Sequence, residues 1–167
     1  MLSATDGLLK CDKEEMTMRR KDRQRNAAFA WSVFDRVPYG VLSLRDGEGG
    51  YGVPISPARI GEKVYFHCAL EGKKLSCIAQ WPEATLTVAE AGAADYFSVC
   101  FASAILRGRV TVVEDEAEKQ DALLAIIRRY CPDLMAEADS YLRNHLAATC
   151  VCRMDVVEIT GKERQKG

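Results

Sequence analysis

The chain has 167 residues, of which 48% are hydrophobic and 28% charged, enough for one domain with a substantial core. A formal net charge of -1 at pH 7 supplies no overall basic field to draw in nucleic acid, and leaves room only for a local basic pocket. No run approaches the roughly 18–20 apolar residues that span a bilayer, and the opening MLSATDGLLKCDKEEMTMRRKDR lacks a signal peptide's apolar region and cleavage site, so a cytoplasmic protein with no membrane partner is expected.

Residues 1–18 are polar and unpatterned and are expected to form a flexible extension, with a single domain over residues 19–167. In RQRNAAFAWSVFDRV, Ala28, Trp31, Val33, Phe34 and Val37 cluster at roughly helical spacing. The helix should stop near Pro38, because proline disfavours helix in the residue before it. YGVLSL (39–44) and YGVPIS (51–56) suit the two strands of a hairpin across RDGEGG, where Asp46-Gly47 offers positive-φ positions. Pro54 brings no N–H to a ladder, which suggests an edge, a bulge or a place where a ligand takes over. PARIGEK (57–63) is expected to turn, and VYFHCA (64–69) to form a third strand.

EGKKLSCIAQW carries Leu75, Ile78 and Ala79 at helical spacing and is bounded by Pro82, the pattern of a short helix. ATLTVAE (84–90) is a fourth strand and AGAAD a loop, while YFSVCFASAILRGRVTVVED (96–115) is too long for one flat strand and should bend near Gly108. Asp115 followed three residues on by Glu118 has the form of a helix cap. The helix behind it shows an apolar stripe of Leu123, Leu124, Ile127 and Tyr130, ends at Pro132, and precedes a second helical candidate (134–147) and a closing strand (150–162). Strands joined mainly by hairpins point to an antiparallel sheet curled into a barrel with helices at its side, and no G-x-G-x-x-G favours a Rossmann fold.

Seven cysteines, an odd count with no C-x-x-C pair, do not make a disulfide framework. Cys150 and Cys152, two apart, share one face of a strand: a metal half-site or two buried thiols acting as small apolar groups. The second reading is taken, and no metal site is expected. The acidic run Glu114, Asp115, Glu116, Glu118 is a helix start complementing its dipole. His145 is expected at the surface, Trp31 and Trp81 in core or interface, and Arg107 and Arg109 on one strand face, either solvated or reaching a partner's ligand.

One stretch concentrates chemistry: VYFHCALEGKKLSCI, residues 64–78. A helix starting near Gly72 exposes unpaired N–H groups and the positive end of its dipole, which together stabilise a phosphate. Gly72 allows close backbone approach, Lys73 and Lys74 add charge, and His67 leaves the preceding strand near the same mouth. From spacing alone, an anion cradle and a solvated turn both fit.

Taken together, MRRKDR, YGVLSL, GYGVPIS, VYFHCALEGKKL, ASAILRGRVTVVEDEAEK and the closing ITGK resemble the nitroimidazole-resistance (Nim) proteins, within the pyridoxamine 5'-phosphate oxidase-like flavin-binding split barrels. The resemblance runs from Met18 to Lys162 and is most specific at Y-G-V-P, Y-F-H-C-A and G-x-K. It implies a mainly β fold with flanking helices, a six-stranded antiparallel split β-barrel, and a homodimer with FMN between subunits. By the same resemblance, Val53, Pro54, Ile55 and Ser56 would run along the flavin ring and Phe66, His67 and Cys68 beside its ribityl chain. Gly72, Lys73 and Lys74 would bind its phosphate, and Ser103 would be brought near by the partner subunit. His67 would face the substrate and be the catalytic residue. The implied activity is FMN-dependent reduction of nitroaromatics such as 5-nitroimidazoles. Alternatives on the same barrel are a non-catalytic flavin- or haem-binding module and a pyridoxamine 5'-phosphate oxidase-related flavoenzyme with another substrate. The extra glycine in RDGEGG and the short loop AGAADYFSVC depart from the family pattern.

Overall fold

A computed structural model describes residues 18–47 and 49–166; most of the expected N-terminal extension lies outside them. A two-residue strand, β1 (Gln24–Arg25), leads into helix α1 (Ala27–Arg36). The Asn26 side chain accepts the Phe29 N–H at 2.9 Å and so caps that helix. α1 stops one residue before Val37-Pro38, as expected, and Arg129 donates to the carbonyls of Phe34 and Val37 at 2.6 and 2.7 Å. Those acceptors would otherwise be orphaned at the helix end.

β2 (Gly40–Asp46) and β3 (Gly49–Ile55) form the expected hairpin, with Leu42 opposite Val53 and Val41 opposite Pro54. β3 lies at one end of the sheet, which is where a proline is tolerated. The 57–63 segment is more than a turn: β4 (Ala58–Ile60) pairs with β5 (Lys63–Cys68) around Gly61, whose φ of 63° suits a two-residue reversal. Helix α2 (Lys73–Gln80) follows and ends before Pro82.

AGAAD is not a loop. β6 runs from Glu83 to Asp95, with Ala91 opposite Phe101, a register shift between Ala91 and Ala94, and Asp95 opposite Ser98, so the reversal is only Tyr96-Phe97. Small residues suit this stretch because it projects past the core and its ladder is completed by β7 (Ser98–Val112). β7 bends where expected, with a register shift between Arg107 and Gly108 against β8 (Cys150–Arg164). A Cβ on Gly108 would lie 2.3 Å from the Asp155 carbonyl oxygen, so only glycine permits this approach.

Helix α3 (Glu116–Tyr130) begins with the expected cap, Glu118 N–H donating to Asp115 Oδ1 at 2.7 Å. Helix α4 (Ala138–His145) is shorter than the expected 134–147, because 3₁₀ turns at Pro132–Leu134 and Leu146–Ala148 occupy its flanks.

The strands form one antiparallel sheet in the order β3-β2-β6-β7-β8-β5-β4, with β1 added to β8. Among the described residues β3 and β4 do not pair with each other, so the barrel is split. Six strands of 6–15 residues are the six expected, and the two short ones, β1 and β4, are additional. Phe34, Leu42, Phe66, Leu86, Leu106 and Met154 fill the interior, each almost wholly buried. Burial of each such side chain is worth roughly 1.5–3 kcal/mol against exposure. A second cluster outside the sheet joins Tyr65 and Val151 to Ala122, Leu123, Ile126 and Leu142 of α3 and α4. β5 is therefore packed on both faces, and this decides where its side chains point.

Candidate functional site

Successive side chains of a strand point to opposite faces. On β5, Val64, Phe66 and Cys68 turn into the barrel, while Tyr65 and His67 turn outward toward α3 and α4. His67 lines a cavity of about 220 Å³ with Tyr39, Pro54, Ile55, Ser56 and Lys74. An adjoining cavity of about 630 Å³ shares Tyr39, Ser56 and His67 and extends beneath α3 and α4, walled by Leu123, Ile126, Ile127 and Tyr130. Three separated stretches of sequence thus meet at His67: the end of α1, the edge strand β3, and the start of α2.

The wall is fixed by α3. The Tyr130 hydroxyl lies 2.7 Å from the Pro38 carbonyl oxygen and 2.8 Å from that of Pro57, holding its single hydrogen between them. Burial raises the Tyr130 pKa, so the phenol stays protonated. The residues flanking Tyr39 and Ser56 are thereby tied to one side chain.

The start of α2 has the opposite character to a self-capped helix. Gly72 occupies the N-cap with φ 130°, a conformation that favours glycine, and no side chain caps the helix. Its carbonyl accepts the first helical hydrogen bond, from Ser76 N–H at 3.2 Å, which leaves the N–H groups of Lys73, Lys74 and Leu75 without intrahelical partners. A Cβ built on Gly72 would meet nothing within 4 Å, so the space before these donors is open.

The two lysines diverge. Lys73 Nζ is 2.5 Å from Asp46 Oδ2 and sits over the Tyr51 ring at 5.0 Å, drawn toward the β2–β3 hairpin. Its hydrogen bond and attraction to Asp46 raise its pKa. Lys74 Nζ sits 5.5 Å from the Phe66 ring centroid, lines the cavity with His67, and has no carboxylate partner among the described residues. Partial burial of the imidazole first, and then the charge of Lys74, lower the His67 pKa below the usual 6.5, so the ring is neutral at pH 7.

Of the residues singled out in the sequence, Pro54, Ile55, Ser56, His67 and Lys74 line one cavity, with Gly72 at the N-cap of the helix that carries Lys74. Val53 is half-buried against the core and Phe66 is buried within it, so either would meet a ligand in the groove mainly through backbone. Ser103 is not brought to this cavity; it lies on β7 opposite Lys162, whose carbonyl oxygen is 3.5 Å from its hydroxyl. Arg107 and Arg109 pair on the surface with Glu158 and Glu83. His145 is exposed, as expected, but stacks on Tyr141 at 4.1 Å and joins the rim of the larger cavity.

Sequence reasoning missed two features. Tyr39 and Tyr130 frame the cavity, and Tyr130 was visible only as one member of an apolar stripe. The second is a thiol cluster: Cys68 pairs with Cys150 across β5–β8, and the Sγ atoms of Cys68, Cys150 and Cys152 all lie within 4.8 Å of one another. Only the i, i+2 spacing of Cys150 and Cys152 signals it in the sequence; the third thiol arrives through a pairing 82 residues away.

The family model described as pyridoxamine 5'-phosphate oxidase matches residues 26–163. No curated protein matches the chain. Among solved structures, a candidate 5-nitroimidazole antibiotic resistance protein from Bacteroides thetaiotaomicron is similar at 24% identity and TM-score 0.72, over 83% of this chain and 84% of that one. The flavocytochrome Anf3 of Azotobacter vinelandii is similar at 21% identity and TM-score 0.74, over 89% and 72%. An FAD- and haem-binding protein of Mycobacterium smegmatis is similar at 22% identity and TM-score 0.74, over 86% and 74%. At these identities the likeness is one of fold.

Proposed function

The chain belongs to the pyridoxamine 5'-phosphate oxidase family, and from that premise we propose that it is an FMN-dependent oxidoreductase that reduces nitroaromatic compounds such as 5-nitroimidazoles. The observation that carries the reading is one open cavity on which an uncapped helix start, the carboxylate-free Lys74, the edge strand at Pro54–Ser56 and His67 converge. These residues fit the cofactor. The unpartnered N–H groups of α2 and the Lys74 ammonium match a phosphate dianion. Val53, Pro54, Ile55 and Ser56 offer a strand edge to a flat ring, and Phe66, His67 and Cys68 the strand beside its chain.

FMN, when bound, supplies the electron transfer. The protein's own groups bind, orient and move protons. Gly72 leaves the helix start clear of side chain, Lys74 neutralises the anion, and Lys73 contributes less because Asp46 already holds it. The apolar wall of Leu123, Ile126 and Ile127, fixed through Tyr130, receives the substrate ring and excludes water. His67 presents a ring nitrogen to the nitro oxygen, and in its protonated form delivers a proton there. In a homodimer, Ser103 of the partner would complete the groove.

Mixing the chain with excess FMN and removing free cofactor by gel filtration tests the cofactor. Flavin absorbance should travel with the protein, and a free FMN concentration of a hundred times Kd should stabilise the fold by about 2.7 kcal/mol. Colourless protein with an unshifted Tm overturns the reading, and an intense Soret band from cells would replace flavin with haem. His67→Ala should retain FMN and lose most nitroimidazole turnover. Because the His67 pKa lies below 6.5, its protonated fraction grows as pH falls from 8. Turnover should therefore rise with falling pH, level off below that pKa, and lose this dependence in His67→Gln.

A further inference from the structure

On the opposite face of β5 from His67 lies the one group of metal-ligating side chains that stands out among the described residues. The Sγ atoms of Cys68, Cys150 and Cys152 lie within 4.8 Å of one another. A metal with sulfur bonds of about 2.3 Å holds its thiolates somewhat under 4 Å apart, so small side-chain rotations bring these three into range. Two register facts make the convergence a property of the fold. Cys68 is directly opposite Cys150, and Cys152 is opposite Phe66, so all three side chains point into the barrel.

We propose that Cys68, Cys150 and Cys152 form a binding site for a thiophilic divalent cation of the zinc class, with three thiolate ligands and a fourth position open to solvent or an exogenous ligand beside Cys68. Cys150 and Cys152 are buried, whereas Cys68 is half-exposed and gives the site its mouth. Three protein ligands and one free position are a familiar zinc arrangement, and soft thiolate ligands exclude magnesium and calcium.

Each sulfur binds the ion as thiolate, so loading the site exchanges thiol protons for metal with no change of oxidation state. The metal would also tie β5 to β8, the pairing that fixes the His67 strand.

The test is Co²⁺ titrated into the reduced full-length chain, with and without FMN. One equivalent should bind and produce a sulfur-to-cobalt charge-transfer band and the visible bands of a tetrahedral thiolate site, both erased by added Zn²⁺. Calorimetry in two buffers of different ionisation enthalpy should report protons released as the thiols take up the ion. Cys152→Ser should abolish the band; because that thiol is fully buried, Cys68→Ser, at the half-exposed position, supplies the same test with less demand on folding. Cys100→Ser, outside the cluster, should leave the titration unchanged. No charge-transfer band in the unmodified chain, or a band that survives Cys68→Ser, overturns the proposal.

Discussion

Two helices in this molecule begin in opposite ways. α3 is closed at its start: Asp115 accepts the Glu118 N–H at 2.7 Å, and Glu116 and Glu118 set negative charge against the dipole. α2 is open at its start: glycine stands at the cap, no acidic residue lies in the first turn, and two lysines do. Both ends face the same physical requirement, since the first N–H groups of any helix need acceptors. α3 finds them within the chain. α2 is left with donors, positive charge and space, which is the condition of a helix start whose acceptor comes from outside. A side-chain cap at position 72 would have to adopt φ 130°, which favours glycine, and as a cap glycine gives up only about a few tenths of a kcal/mol against Ser or Asp.

If that contrast is functional, making α2 resemble α3 should be the most damaging change. Gly72→Asp places a carboxylate where the phosphate is proposed to sit and forces an L-residue to φ 130°. FMN affinity should fall about a hundredfold or more, some 2.7 kcal/mol, by isothermal titration. Retained affinity would show that the open start of α2 is not an anion site. Lys74→Ala keeps the backbone donors and removes only the charge, so a loss of about tenfold is expected, roughly 1.5 kcal/mol, the lower end for a charge-assisted contact. Lys73→Ala should cost less, about threefold, because Asp46 at 2.5 Å already engages that ammonium in an exposed pair. An equal loss for both lysines would mean that Lys73 leaves Asp46 when the ligand arrives.

Much of this contrast was legible in the sequence. The capping residues Asp115 and Glu118 and the Gly-Lys-Lys start of α2 are local signals, three residues or fewer apart. The hairpin at 40–55, the edge position of Pro54 and the bend at Gly108 were readable for the same reason: proline and glycine carry backbone restrictions wherever they fall. Tertiary pairing was not legible. AGAAD looks like a loop by composition and becomes strand because β7 supplies its partners. β4 is too short to show a period and exists through its pairing with β5. At the site, His67 and Lys74 are close in sequence, but Tyr39 and Tyr130 arrive from other elements, and the split of Lys73 toward Asp46 depends on where the β2–β3 turn lies. The cluster of Cys68 with Cys150 and Cys152 depends on the β5–β8 register, which one residue of slip would destroy.

The smallest effect belongs to the closed helix start and is the control for the rest. Asp115→Ala removes the acceptor for the Glu118 N–H, and that exposed donor turns to water, so the loss should be about 1 kcal/mol. For a domain of this size the Tm should drop by about 2–4 °C. Glu118 itself remains anchored, because Tyr65 donates to it at 2.8 Å and Arg153 at 2.9 Å, so the wall that α3 presents to the cavity stays in place. FMN affinity should therefore be unchanged while stability falls. Gly72→Asp should instead lower affinity about a hundredfold or more even if the new cap offsets part of its backbone strain. A fall in FMN affinity in Asp115→Ala would mean that the two helix starts are coupled through β5, where Tyr65 faces α3 one residue from Phe66 and two from His67.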